Sequence, residues 1–272
     1  MPVPTRRSMI NMRVGAVHRL GGLCFGLLAA CVVPRQAAAE VGAVPETACA
    51  APPPPRQVVF EHERASRDVR QVADWIVDSG DNHAADSTKL PFVILDKKDA
   101  RIFVFHADGR LRGAAPALLG LGRGDTALPG IGARELSAIA PKDRVTPAGR
   151  FVAEIGTDSH GEDVLWVDYE GAVAIHRVIT TNPKERRLQR LATPTPHDNR
   201  ISWGCINIPV KFYEKVVQPA FAGTRGIVYV LPETKPLRAV FASYLFDEDA
   251  RAHFAGQSEK FVVQRSQKKV FP

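Results

Sequence analysis

The segment "FVILDKKDARIFVFHADGR", Phe92–Arg110, contains two runs of β-forming residues separated by the polar stretch "KKDA". The runs Phe92–Asp96 and Arg101–His106 are rich in valine, isoleucine and phenylalanine, which favour extended strands. The pair Asp108-Gly109 that follows is a hairpin turn signal. The segment therefore predicts two strands joined by a turn, followed by a second turn.

Similar runs recur farther along the chain. Four more strands are predicted, at Arg150–Gly156, Val164–Glu170, Ala172–Ile179 and Gly226–Pro232. Between most of these runs the residues are turn formers without a long helical pattern. The pattern therefore predicts a mainly β domain of mostly antiparallel strands over residues 90–233.

Two helices are predicted around this domain. Residues 63–79 carry apolar side chains at helical spacing and are followed by Gly80, which indicates an amphipathic helix that packs on the domain. A second helix is expected over Pro209–Phe221, because proline is tolerated at a helix start. A short helix is also expected near Leu237–Leu245.

Composition limits the class of protein. The chain has 272 residues, 45% of them hydrophobic and 24% charged, which is typical of a soluble globular protein. Its formal net charge is +7, but residues 1–39 hold five arginines and no acid, so the remainder carries only +2. A nucleic-acid partner is not predicted, because such binders carry their basic patch on the folded domain.

The N-terminus predicts export. A basic region precedes 14 mostly apolar residues, Leu20–Val33, and the small residues Ala37–Ala39 suit cleavage before Glu40, giving a signal peptide of residues 1–39. The alternative is a lipoprotein signal of residues 1–30, since "LAAC" at Leu28–Cys31 looks like a lipobox whose Cys31 is lipidated. The first alternative predicts a periplasmic protein, and the second predicts one anchored by lipid to a membrane.

Proline and alanine mark a spacer after the signal. Residues 40–61 include the run Pro52–Pro55, which favours an extended polyproline segment. We therefore divide the rest of the chain into this linker, a helix with its connection at 62–89, the β domain at 90–233 and a C-terminal extension at 234–272.

Cysteine usage singles out one thiol. Of four cysteines, Cys24 and Cys31 lie in the signal, so a chain cleaved before Glu40 keeps only Cys49 and Cys205. Oxidising compartments favour disulfides. Cys205 is therefore predicted to be bridged to Cys49, buried as a small hydrophobe, or used as a reactive thiol.

The surroundings of Cys205 favour nucleophilic chemistry. In "RISWGCINIP", Arg200–Pro209, Gly204 allows a sharp backbone turn just before the thiol. A helix beginning just beyond would lower the thiol pKa, and the backbone N–H groups of Gly204 and Cys205 could hold an oxyanion. His176, in the run "AVAIHRVI", is the candidate base.

Metal and phosphate sites receive no support. None of the eight histidines forms an H-E-x-x-H pattern, and no C-x-x-C pair is present, so we predict neither a metal nor a cofactor. The glycine-rich stretch Gly120–Gly132 lacks the phosphate-binding patterns and is interpreted as a loop between strands.

Three motifs in order resemble a known family. These are "TPAGRF" at Thr146–Phe151, "AIHRV" at Ala174–Val178 and "SWGCINIP" at Ser202–Pro209. Together with the opening strand–turn–strand, they resemble the L,D-transpeptidase catalytic domain of the YkuD type over residues 90–233. The resemblance implies a β-sandwich or barrel with a helix after the catalytic cysteine.

The chain departs from the family pattern in two places. Trp203 stands where the family has a histidine before the Gly-Cys pair, and 25 residues separate His176 from Ser202, a longer gap than the family's. The extra segment, residues 180–200, holds several basic residues and is predicted to be either a lid over the cleft or a solvated loop. His197 within it is a candidate to replace the missing histidine.

The resemblance also implies a chemistry. Cys205 would attack a peptidoglycan stem peptide and form a thioester, and His176 would act as its base from a resting imidazolium–thiolate pair. Gly204 and Ser202 would form the turn and oxyanion site, and Arg200 and Asn207 would bind substrate. The implied function is L,D-transpeptidation. The alternatives are an L,D-carboxypeptidase or endopeptidase, or an inactive wall-binding module.

Overall fold

The computed structural model describes residues 57–85 and 87–242. The predicted signal peptide of residues 1–39, lipidation at Cys31, most of the linker and residues 243–272 of the C-terminal extension lie outside the described residues. Those interpretations remain predictions.

The described chain is built mainly of short strands. Their bounds are β1 Phe92–Asp96, β2 Arg101–Phe105, β3 Leu111–Pro116, β4 Leu119–Gly120, β5 Gly149–Thr157, β6 Asp163–Asp168, β7 Val173–Arg177, β8 Arg200–Ser202, β9 Ile206–Ile208 and β10 Gly226–Val230. All six strands predicted from sequence are present, and each end lies within two residues of its predicted position. Four further strands, β3, β4, β8 and β9, were not predicted.

Eight of these strands form one mixed sheet in the order β3-β2-β1-β10-β5-β6-β7-β9. The pairs β1–β10 and β7–β9 are parallel and the other five are antiparallel, which confirms the predicted mainly β, mostly antiparallel fold. Just beyond β3, Leu118 exchanges two backbone hydrogen bonds with Asn207 of the opposite edge strand β9, at 2.8 and 2.9 Å. The sheet is therefore nearly closed on itself. Strands β4 and β8 form a separate parallel pair.

The central strands are buried on both faces. Val93, Leu95 and Val228 point into one hydrophobic cluster, whereas Phe92 and Ile94 point into another on the opposite face. Burial on both faces explains why "FVILD" and "GIVYV" are continuous apolar runs without polar alternation.

Helices cover the two faces of the sheet. Helix α1, Arg67–Ser79, is capped by the Ser66 hydroxyl, which accepts a hydrogen bond from the Val69 N–H, and it ends at Gly80 in a left-handed conformation. Its apolar stripe, which includes Trp75, packs on one face, as the sequence predicted.

On the other face, a helical stretch follows β9. It runs through α3 Val210–Phe212, a wider π turn Tyr213–Val217 and α4 Gln218–Phe221, and so confirms the predicted helix. It does not begin directly after Cys205, because β9 intervenes. The predicted effect of a helix start on the thiol pKa is therefore wrong.

The segment between β7 and β8 is folded. It contains a 3₁₀ turn at Pro183–Glu185, the short helix α2 Arg187–Ala192 and a second 3₁₀ turn at Pro196–Asn199. Leu191 of α2 is buried against Leu118 and Val178. Leu191 therefore anchors the segment at the sheet edge, while most of its other side chains are exposed. Beyond β10, the predicted helix near Leu237 is a 3₁₀ turn at Leu237–Ala239 within the described residues.

A fully buried lysine joins distant loops. The Lys97 ammonium donates to the carboxylate of Asp125 at 2.8 Å and to the backbone oxygens of Gly124 and Thr146 at 2.6 and 2.9 Å. Burial lowers the pKa of Lys97, and its bond with Asp125 opposes that effect. All three ammonium hydrogens are therefore used inside the protein.

Asp125 receives further hydrogen bonds. Its carboxylate also accepts from the backbone N–H groups of Glu233, Thr234 and Lys235. Burial alone would raise the pKa of Asp125, but the bonds from Lys97, Thr234 and these backbone groups outweigh it and leave the pKa depressed. Because the folded pKa lies below the unfolded value of about 3.9, this carboxylate stabilises the fold above that pH and loses its contribution in stronger acid.

Substitution of Lys97 tests this network, and the same substitution at the neighbouring Lys98 is the control. Lys97→Met leaves the buried Asp125 carboxylate unpaired, so we expect the free energy of unfolding to fall by about 3–5 kcal/mol in urea denaturation. The control is Lys98→Met, which removes a surface pair with Asp68 between side chains that are 53% and 33% exposed. That change should cost at most about 1 kcal/mol. Equal losses in the two variants would contradict the assignment.

Candidate active site

Cys205 lies on a tight turn between β8 and β9, and its side chain is half-buried. The preceding Gly204 has a φ of +129°, a backbone angle that residues other than glycine rarely adopt. A Cβ atom at this position would lie 3.0 Å from the backbone oxygen of Val145. Glycine is therefore required both by the backbone angle and by the close approach of the neighbouring chain.

Thr146, from the "TPAG" motif, stabilises this turn through its hydroxyl. Its buried hydroxyl donates to the Gly204 carbonyl at 2.8 Å and accepts from the Gly120 N–H at 2.9 Å. One side chain thus joins the glycine-rich loop, the motif and the cysteine turn. The sequence indicated only a tight turn at this motif, and the contact across 58 residues is new.

Ser202 closes the turn from within. Its hydroxyl accepts from the Gly204 N–H at 3.2 Å and donates to the Cys205 carbonyl at 2.5 Å. Ser202 therefore takes the turn-forming position expected from the sequence. The Gly204 N–H is already occupied by Ser202, so an oxyanion would have to compete with that hydroxyl.

His176 is placed beside Cys205 by strand pairing. Strand β7 runs parallel to β9 with His176 opposite Asn207 and Ile175 opposite Ile206. Because side chains alternate, Asn207 and His176 share the face opposite the buried isoleucines. Cys205 lies on the turn just before β9, two residues before Asn207.

A chain of hydrogen bonds determines the tautomer of His176. Its Nδ1 lies 2.7 Å from the Arg177 carbonyl, which can only accept, so Nδ1 carries the proton. At the other end, the Arg187 guanidinium can only donate, and its Nη1 lies 2.6 Å from Asn207 Oδ1. The Asn207 amide nitrogen therefore faces His176 Nε2, at 3.3 Å, and donates to its lone pair.

The sulfur of Cys205 is not hydrogen-bonded to His176 in this arrangement. Its contacts are the Ala172 carbonyl, at 3.5 Å from Sγ, and the backbone N–H of Ala174. Cys205 and His176 therefore lie at the same end of the β7–β9 pair without a hydrogen bond between them. The Asn207 amide, not the thiol, is hydrogen-bonded to Nε2, the unprotonated nitrogen of His176.

The surroundings favour neutral forms of both groups. Burial raises the pKa of the Cys205 thiol, and the Ala174 N–H opposes this only in part. Burial lowers the pKa of His176, the Arg177 carbonyl opposes it, and the charge of Arg187 lowers it further. Both directions favour a neutral thiol and a neutral imidazole over the imidazolium–thiolate pair expected from the sequence.

Two predicted substrate-binding residues have other contacts. Arg200 is buried and forms a two-point ion pair with Glu233, with Nη2 at 2.6 Å and Nη1 at 3.2 Å from its oxygens. Nη2 also donates to the Lys97 carbonyl at 2.8 Å. Asn207 is buried between His176 and Arg187. The Arg200 guanidinium is therefore engaged by Glu233 and the Lys97 carbonyl, and the Asn207 amide is engaged by His176 and Arg187. Neither side chain is free to bind a substrate in this arrangement.

Trp203 and His197 also have defined neighbours. The Arg144 guanidinium stacks over the Trp203 ring, 3.3 Å from its centroid, and tryptophan is the strongest aromatic partner for such a cation. His197 contacts Arg123, whose Nη2 lies 3.2 Å from the ring Nδ1. These contacts do not place His197 as a substitute base for Cys205.

Sequence reasoning missed Arg187. This residue lies in the segment after β7, which the sequence marked only as basic, and its side chain is 11% exposed. Its Nε also donates to the Glu185 carboxylate at 2.5 Å. No local pattern distinguishes it from the neighbouring arginines, because its role depends on where α2 packs.

Comparison with known proteins gives limited similarity. No family model matches the chain, and no curated protein matches it. Among solved structures, it is similar to the helical cell shape determining protein Pgp2 from Campylobacter jejuni, at 16% identity and a TM-score of 0.37, over 54% of this chain and 49% of that one. A mutant of Pgp2 matches at 15% identity and 0.38, over 63% and 58%. The chain thus spans about half the length of Pgp2.

Another similar solved structure is described by its enzyme class. The chain is similar to the catalytic domain of an E. faecium L,D-transpeptidase. The match has 19% identity and a TM-score of 0.28, and covers 53% of this chain and 98% of that one. That family is the one that the three sequence motifs resemble.

Metal sites and membrane-spanning helices are both absent from the described residues. They contain no group of three or more histidine, cysteine or acidic side chains arranged to hold a metal ion. Within the same residues, none of the helices has the length and apolar character needed to cross a membrane.

The protonation of Cys205 can be measured by alkylation. Because burial raises its pKa, reaction with iodoacetamide should accelerate about tenfold per pH unit through neutral pH, up to at least the ordinary thiol pKa of about 8.5. Peptide mapping by mass spectrometry follows Cys205 separately from the other cysteines. A rate that is already constant from pH 6 to 8 would indicate a resting thiolate and contradict the neutral pair.

Arg187→Met tests the hydrogen-bond chain that ends at His176. Without the guanidinium, the Asn207 amide can turn its oxygen toward Nε2 and stabilise imidazolium, so the pKa of His176 should rise. Histidine-selective NMR titration measures that pKa and the tautomer. The control is Arg186→Gln, which removes the same charge from the exposed neighbouring residue and should leave both unchanged. Unchanged values in Arg187→Met would refute the chain.

Proposed function

We propose that this chain is a cell-wall enzyme that transfers acyl groups of peptidoglycan stem peptides through Cys205, in the manner of an L,D-transpeptidase. The observation that carries the proposal is the placement of a free thiol on a glycine turn beside a histidine held in the Nδ1–H form. That form leaves Nε2 unprotonated and able to act as a base.

The first step transfers the thiol proton to His176. Nε2 must exchange its contact with the Asn207 amide for one with Sγ, and catalytic hydrogen bonds commonly tighten only when substrate is bound. The sulfur then attacks the carbonyl of the peptide bond after the diamino acid and forms a tetrahedral intermediate. The Cys205 N–H, at the glycine turn, is a candidate donor to its oxyanion.

The second step releases the terminal residue and forms the thioester. The C–N bond breaks, and the proton on Nε2 goes to the leaving amine, so the imidazole returns to neutral. An amine of a second stem then attacks the thioester and regenerates the thiol. If water attacks instead, the same site acts as a carboxypeptidase or endopeptidase, which is the second candidate activity.

The chemistry uses only residues of this chain. Cys205 is the nucleophile and His176 the base, whereas Gly204, Ser202 and Thr146 hold the turn. Export to the periplasm, with or without a lipid anchor at Cys31, remains part of the proposal, because stem peptides lie outside the cytoplasm.

Acylation of the thiol is the direct test. A carbapenem mimics the stem peptide, so incubation should add one carbapenem mass to the full-length protein in intact mass spectrometry. Cys205→Ala should abolish both the adduct and turnover of a stem tetrapeptide, whereas Cys49→Ala should retain them. Absence of an adduct on the unaltered protein would support an inactive wall-binding module.

Product analysis separates the two activities. With a stem tetrapeptide alone, a hydrolase releases the terminal residue and leaves a tripeptide. With an added amine acceptor, a transpeptidase yields the cross-linked product, and we expect that product to dominate. An unchanged tripeptide yield at high acceptor concentration would favour the carboxypeptidase.

A further inference from the structure

A second concave site lies next to the buried Arg200–Glu233 pair. It is a cavity of about 220 Å³, lined also by Lys98, Arg123 and His197. At about 30 Å³ per water, this volume holds roughly seven waters, or one group of about amino-acid size. Neither Cys205 nor His176 lines it, so the proposed chemistry does not use it.

The lining carries one cation that lacks an acidic partner. Lys97 is paired with Asp125 at 2.8 Å, Lys98 with Asp68 at 2.9 Å and Arg200 with Glu233 at 2.6 Å. Within residues 57–85 and 87–242, no acidic side chain forms an ion pair with Arg123. Its neighbour is the His197 ring, which accepts from the guanidinium and brings no negative charge.

Glu233, the one carboxylate that the described residues place in the lining, is hydrogen-bonded through both of its oxygens. Glu233 Oε1 accepts from the Gly124 N–H at 3.0 Å and from Arg200 at 3.2 Å, and Oε2 accepts from Arg200 at 2.6 Å. An incoming ligand therefore meets the exposed guanidinium of Arg123 without competition from Glu233.

The cavity is connected to the cysteine turn by backbone contacts. Arg123 lies two residues beyond Leu121, whose N–H donates to the Ser202 carbonyl at 2.9 Å, and Cys205 lies three residues after Ser202. Even fully extended, these steps place Arg123 and Cys205 at most about 23 Å apart, which an extended peptide of about seven residues covers.

We propose that this cavity binds a carboxylate of a peptide ligand, with the Arg123 guanidinium as its principal contact. One unpaired cation matches one negative charge, whereas a phosphate carries more charge than the cavity balances. Arginine also matches the planar geometry of a carboxylate. The choice of a peptide rests on the proposed function, because stem peptides present carboxylates.

A matched pair of probes tests the site. N-acetyl-D-alanine and its primary amide differ only in the carboxylate, and each is titrated into the full-length Cys205→Ala protein. The amide signal of Gly124, beside the cavity, reports binding by NMR. We expect saturable shifts for the carboxylate, with at least about tenfold weaker binding of the amide, because charge-assisted hydrogen bonds are lost.

Arg123→Gln should remove this preference, so that acid and amide bind alike. The control Arg134→Gln removes an exposed charge from the same connecting segment and should keep the preference. Equal binding of acid and amide to the starting protein, or a preference that survives Arg123→Gln, would overturn the proposal. Tighter binding of inorganic phosphate than of N-acetyl-D-alanine would also overturn it.

The result is separable from the proposed chemistry. Binding is measured without Cys205, so a carboxylate preference that depends on Arg123 supports the cavity even if no carbapenem adduct forms. Conversely, an adduct on Cys205 together with equal binding of acid and amide overturns only the cavity.

Discussion

The hydroxyl of Thr146 is the contact on which the site depends. It holds the Gly204 carbonyl on one side and the Gly120 N–H on the other, and its own backbone oxygen is held by the buried ammonium of Lys97. The cysteine turn uses a positive φ at Gly204, which glycine reaches without the steric cost that a side chain would add. The hydrogen bonds of Lys97, Thr146 and Ser202 hold this turn in place.

The orientations of His176 and Asn207 follow from the groups at the two ends of their hydrogen-bond chain. The backbone carbonyl of Arg177 cannot donate a hydrogen bond, and the guanidinium of Arg187 cannot accept one. Together they orient the His176 imidazole and the Asn207 side-chain amide that lie between them. This arrangement suits a neutral base but opposes its protonated form, since the Asn207 amide would then face a second donor. Burial also raises the pKa of the Cys205 thiol, and a protonated thiol reacts slowly.

Much of the fold could be predicted because the central strands are long apolar runs, and the helix of residues 67–79 has strong caps and periodicity. The short strands β4, β8 and β9 could not, because two or three residues carry no periodic signal and pair only with distant segments. The sequence named Cys205 and His176 from their chemistry and the order of the motifs. It did not indicate the position of Arg187, which depends on how α2 packs, or the contacts of Arg200, which depend on a glutamate 33 residues away.

The nearly closed sheet has a consequence at the residue that completes it. The backbone of Asn207 joins the two edges through Leu118, while its side chain lies against the imidazole. A slip of β9 by one residue would put an isoleucine beside His176 and drive the polar amide into the hydrophobic interior. A β9 strand paired in the wrong register would therefore lose its core packing and the Asn207–His176 contact together, so the closure of the sheet and the geometry around the imidazole depend on the same register.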